Sequence, residues 1–111
     1  MTEGQIHRAV VAHLRARAHP DALWFHVPNG GQRSRVTGAI LKALGVLRGV
    51  ADILIIFRSR VYALELKSEK GRPTVEQMEF MSRLTHAGGF GCITQGLDRA
   101  LAVLERWGVL R

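Results

Sequence analysis

Gly49-Val50-Ala51-Asp52-Ile53-Leu54-Ile55-Ile56-Phe57, followed by Arg58-Ser59-Arg60 and then Val61-Tyr62-Ala63-Leu64-Glu65-Leu66-Lys67, is the stretch that decides the fold. Positions 53–57 form an unbroken apolar run of strand length, the pattern of a strand covered on both faces. Arg58-Ser59-Arg60 is a polar turn of hairpin length, so the two runs pair antiparallel. Side chains alternate along a strand, so Glu65 and Lys67 share a face, roughly 7 Å apart at Cα. Leu66 points the other way, into the core, and leaves its carbonyl on the polar side. Asp52 stands where a loop after Gly49 enters the first strand. Two carboxylates from neighbouring strands, a carbonyl and an ammonium are a donor set for one hard divalent cation beside a phosphate.

Outward from this hairpin, helix and strand patterns alternate. Positions 2–17 are helical, with Ile6, Val10 and Leu14 on one stripe, Thr2 and Gln5 at capping-box spacing, and Pro20 blocking continuation. Positions 23–27 read as a strand that ends at Pro28-Asn29-Gly30-Gly31, and a basic loop follows. A short helix from Thr37 carries Ile40, Leu41 and Leu44 and stops at Gly45. After the hairpin comes a Lys70-Gly71-Arg72-Pro73 turn, then a helix over 74–86 with Val75, Met78, Met81 and Leu84. Gly88-Gly89 breaks it, 90–94 form a fourth strand, and a last helix carries Leu97, Leu101, Leu104 and Trp107. The α-β-α-β-β-α-β-α order, without repeats or linkers, predicts one α/β domain over 1–111 with a mixed four-stranded sheet flanked by helices.

The chain has 111 residues and is 47% hydrophobic, which argues for a packed globule over disorder. A formal net charge of +7 points to a polyanionic partner. Its arrangement adds weight, because Arg33, Arg35, Lys42 and Arg48 lie in a stretch, 29–48, that contains no acidic residue. Cys92 is the only cysteine, so an internal disulfide is excluded and a reducing, cytoplasmic compartment fits. No apolar run reaches membrane-spanning length, and Thr2-Glu3-Gly4-Gln5 does not open a signal peptide. His7, His13 and His19 lack the i, i+4 spacing of paired helical ligands and read as surface histidines.

Each charged residue of the hairpin has an ordinary explanation: Asp52 as a turn aspartate, Glu65 and Lys67 as a surface pair on an edge strand. Together they resist it. An Asp before Ile-Leu-Ile-Ile and a Glu between two leucines are costly to bury unless something compensates them. A cation does so, and carboxylate-rich oxygen sites suit Mg²⁺ or Mn²⁺.

Gly49-Val50-Ala51-Asp52 followed by Glu65-Leu66-Lys67 resembles the PD-(D/E)XK nuclease signature. The wider pattern is similar to the VRR-NUC family: Glu3 on the first helix, Asn29-Gly30-Gly31, Leu44-Gly45, Gly49-x-x-Asp52, Glu65-x-Lys67, Gly71 and Thr74-x-x-Gln77. The likeness runs over nearly the whole chain and implies a restriction-endonuclease-like core. Ala51 departs from it, since the family usually has proline there; proline stiffens the approach to the strand but supplies no ligand.

The resemblance implies metal-dependent phosphodiester cleavage in DNA, often at branched or junction structures. It makes Asp52, Glu65 and the Leu66 carbonyl the metal ligands, and Lys67 a catalytic group. Lys67 is either a general base or a charged residue that orients water and stabilises the phosphorane; its two carboxylate neighbours favour the charged form. Gln77 corresponds to a helix glutamine near the active centre, although Thr74-x-x-Gln77 is also a capping box. Glu3 corresponds to an acid that helps hold a metal or its water, although an acid suits any helix N-terminus. The loop with Asn29, Gly30, Arg33 and Arg35 would grip phosphates, with Lys42, Arg48 and Arg72, and less firmly Arg58 and Arg60, extending the surface.

These features fit a Mg²⁺- or Mn²⁺-dependent endonuclease, bacterial or phage-encoded, acting on DNA as a homodimer when it cuts a four-way junction symmetrically. The alternatives are a non-catalytic basic DNA- or RNA-binding module on the same fold, and a sequence-specific restriction-type nuclease.

Overall fold

The computed structural model describes residues 1–28 and 34–111. Thr2 opens the first helix, α1 (Glu3–Arg17), with a reciprocal cap: its hydroxyl accepts from the Gln5 N–H, and the Gln5 side-chain oxygen accepts from the Thr2 N–H. Two of the four orphan N–H groups at the helix start are thereby satisfied. The stripe Ile6, Val10 and Leu14 is fully buried. It faces Ile53, Ile55, Tyr62, Leu64 and Leu66 of the sheet, and Ala100, Val103 and Leu104 of the last helix. Each such aliphatic side chain contributes about 1.5–3 kcal/mol relative to an exposed one.

The sheet holds β1 (Leu23–His26), β2 (Ile53–Phe57), β3 (Arg60–Lys67) and β4 (Phe90–Gln95) in that spatial order. The first three are antiparallel, with His26 opposite Ile53 and Ile53 opposite Leu64. β4 pairs with β3 in parallel, so the chain must cross over between them, and α3 (Val75–His86) makes the crossover. Met81 and Leu84 of α3 lie over Gly91 and Gly89. The register brings His26, Asp52, Glu65 and Lys67 to one end of the sheet, and this places the site.

The mixed four-stranded sheet and the element order follow the sequence-based expectation, with several local differences. The hairpin loop is the two residues Arg58 and Ser59, both at positive φ (52° and 63°), and β3 already begins at Arg60. Two residues at positive φ match the twist of the flanking strands, which a type I or II turn would splay. The ordinary explanation of Glu65 and Lys67 as a surface pair on an edge strand does not hold: β3 lies between β2 and β4, and both residues are buried. α2 (Arg35–Ala43) starts two residues before Thr37, because the Ser34 hydroxyl accepts from the Thr37 N–H. It buries none of its residues. α4 (Leu97–Arg106) ends before Trp107, after which Val109 and Leu110 enter the core and Leu110 bridges to Ala18.

Candidate active site

The loop into β2 and the end of β3 bring Asp52, Glu65 and Lys67 together. The Leu66 N–H donates to Asp52 Oδ2 at 2.8 Å, which fixes the Asp52 carboxylate against the end of β3. Glu65 and Lys67 are 3% and 6% exposed, with Lys67 Nζ 3.8 Å from Glu65 Oε2. Gln77, in the first turn of α3, donates from Nε2 to Glu65 Oε2 at 3.0 Å. Its Oε1 accepts from the Thr74 N–H at 2.9 Å, and the Thr74 hydroxyl accepts from the Gln77 N–H. The capping box and the contact with the site are therefore two uses of one amide.

Crowding leaves a charge conflict. Burial first, and then the Asp52 carboxylate beside it, push the Glu65 carboxyl up to about 8. The closeness of the two carboxyl groups favours a proton on Glu65. Lys67 and the Asp52 backbone pull the other way without cancelling this. At neutral pH, without a bound cation, the Lys67–Glu65 contact is thus mainly an ammonium beside a neutral acid rather than a full ion pair. A divalent cation between the carboxylates would remove the conflict, so these donors fit such an ion.

Beside Asp52 the structure places two residues that sequence reasoning did not assign to the site. His7 of α1 and His26 at the end of β1 meet edge to face, with ring centroids 4.4 Å apart. Burial, then the charge of His26, lower the His7 pKa, and Asp52 partly opposes this. His7 lines a cleft with Glu3, His26, Asp52 and Leu66, so Glu3 does reach the rim of the site. The available signal was the i, i+4 spacing of His7 from Glu3. His13 and His19 lie elsewhere: His13 accepts from Arg17, and His19 packs on Phe57.

The basic residues divide. Arg35, Lys42 and Arg48 line a groove between α2 and α3, but Glu76, Glu79 and Arg83 of α3 stand in the same groove. Arg35, Lys42 and Arg48 of the acid-free stretch thus face acids from another element. Arg72 is exposed in the turn after β3. Arg58 and Arg60 sit over the Phe57 and Phe90 rings at the opposite end of the hairpin, roughly 17 Å from Asp52 by strand rise. Asn29, Gly30 and Arg33 lie outside the described residues.

No protein-family model matches the chain, and a search of curated proteins returns no match. Among solved structures it is similar to a "VRR_NUC domain protein", with TM-score 0.79 and 19% identity over 96% of this chain and 88% of that one. It is also similar to a "VRR_NUC domain", with TM-score 0.64 and 17% identity over 95% of this chain and 96% of that one. The fold is that of VRR_NUC domain proteins, an α/β restriction-endonuclease-like arrangement, in agreement with the motif resemblance.

Proposed function

We propose that this chain, with its VRR_NUC fold, is a Mg²⁺- or Mn²⁺-dependent endonuclease that hydrolyses phosphodiester bonds in DNA, with preference for branched substrates such as four-way junctions or flaps. The observation that carries this reading is the buried meeting of the Asp52 and Glu65 carboxyls, with Lys67 and Gln77 held on Glu65. Asp52, Glu65 and the Leu66 carbonyl would hold the ion, with Glu3 at the rim. When bound, the ion supplies Lewis acidity toward a phosphoryl oxygen and acidifies water.

Each protein group then has a defined task. Gln77 fixes the rotamer of Glu65, so the carboxylate is preorganised rather than recruited. Lys67 presents a buried ammonium to the non-bridging phosphate oxygens, where negative charge grows as phosphorus becomes five-coordinate. Arg35, Lys42, Arg48 and Arg72, with Asn29, Gly30 and Arg33 of the loop, would neutralise backbone phosphates. One such centre cuts one strand, so symmetric resolution of a junction requires a two-fold pair of chains.

The experiment is cleavage of end-labelled junction, flap and linear duplex in Mn²⁺ by wild type and Glu65→Gln. Wild type should nick a branched substrate, and the variant should be slower by about 10²–10³-fold. Equal rates for the two proteins, or no cleavage by wild type on any substrate, would overturn the assignment.

A further inference from the structure

We propose that His7, His26 and Asp52 form a binding site for a first-row transition-metal ion, adjacent to the site proposed above and sharing Asp52 with it. Three elements supply the donors: α1, the end of β1 and the loop into β2. One donor atom from each residue lies within 4.8 Å of the others. A tetrahedral ion with bonds of about 2.1 Å holds its ligand atoms about 3.4 Å apart. Small side-chain rotations close that difference, and none of the three residues is fully buried.

Two supporting contacts orient the donors. His26 Nδ1 is 2.7 Å from the Asp52 carbonyl oxygen. Two acceptors do not approach so closely, so Nδ1 carries the proton and Nε2 keeps its lone pair. Asp52 Oδ2 accepts from the Leu66 N–H, which fixes the carboxylate beside the two imidazoles. A histidine that gives its second N–H to a carbonyl, and a carboxylate that is itself hydrogen-bonded, are the usual supports of a metal ligand.

The donor chemistry separates this site from the carboxylate pair. Two imidazole nitrogens and one carboxylate oxygen favour Co²⁺, Ni²⁺ or Zn²⁺, whereas Mg²⁺ prefers an all-oxygen shell with several waters. The cleft lined by Glu3, His7, His26 and Asp52 gives an ion access from solvent and leaves room for water as the remaining ligands.

The test is titration of tag-free, chelator-stripped protein with Co²⁺ in a large excess of Mg²⁺, followed by visible ligand-field absorption. One Co²⁺ per chain should bind, His7→Asn and His26→Asn should each weaken it at least about tenfold, and His13→Asn should leave it unchanged. In the wild-type chain, Co²⁺ should protect His7 and His26, but not exposed His86, from diethyl pyrocarbonate; this readout needs no variant to fold. Unchanged affinity in both variants, displacement of Co²⁺ by Mg²⁺, or no protection of the two histidines would each overturn the proposal. None of these readouts depends on DNA cleavage, so the site and the nuclease assignment stand or fall separately.

Discussion

Replacing Glu65 by Gln should stabilise the cation-free protein, and increasingly so as pH rises. Glu65 is raised from its ordinary value of 4.5 to about 8 in the folded chain. Between those values the folded state holds a proton that the unfolded state has released, so stability falls with rising pH. The penalty is absent below about pH 4.5 and complete above about pH 8. Gln is nearly isosteric, never ionises, and its carbonyl oxygen can accept the Gln77 amide in place of Oε2. Each tenfold rise in proton affinity on folding corresponds to about 1.4 kcal/mol, so the full effect is on the order of 5 kcal/mol. Most of it, about 3–4 kcal/mol, should appear between pH 5 and pH 8.5. The assay is urea unfolding of both proteins in chelator at those two pH values. Wild type should regain stability at pH 8.5 when Mn²⁺ is added, because an ion that binds only the native state shifts the equilibrium toward it; the variant should gain much less. A stability difference that is the same at both pH values, or a variant weaker than wild type at pH 8.5, would refute the reasoning.

Three further outcomes are expected. Gly49 has φ +80°, and a Cβ there would stand 2.3 Å from the Glu76 carbonyl oxygen; Gly49→Ala should cost more than about 2 kcal/mol, and an unchanged thermal midpoint would contradict this. Ser59 has φ 63° in the hairpin turn, so Ser59→Gly should add about 0.5–1 kcal/mol, measured by chemical denaturation. Val36, Ile40 and Leu44 form an exposed apolar stripe along α2, and Ile40→Glu should dissociate a dimer that uses this face; a sedimentation profile unaltered by the substitution would exclude that face.

The hairpin was legible in the sequence because its information is local. Strand alternation alone places Glu65 and Lys67 on one face and sends Leu66 into the core, and the structure keeps that arrangement. Asp52 joins them through the antiparallel register, which the short turn sets. The turn itself reads one residue too long, since Arg and Ser at positive φ carry no composition signal of the kind Asn-Gly does. His7 and His26 were not legible as a pair: their meeting depends on where α1 crosses the end of β1, a matter of tertiary packing. For the same reason Glu76 and Glu79 were not anticipated opposite Arg35, Lys42 and Arg48. The burial of Val109 and Leu110 also lay outside local pattern, because a few residues after a helix have no periodicity to read.

Gln77 is at once the keystone of a helix start and the clasp on a buried acid. Its oxygen closes the first turn of α3 while its nitrogen grips Glu65. Unwinding that turn and freeing the acid are consequently one motion, not two. Turning that amide away from Glu65 would also take the cap off Thr74, where the crossover helix begins. The chemistry and the scaffold thus meet at a single amide.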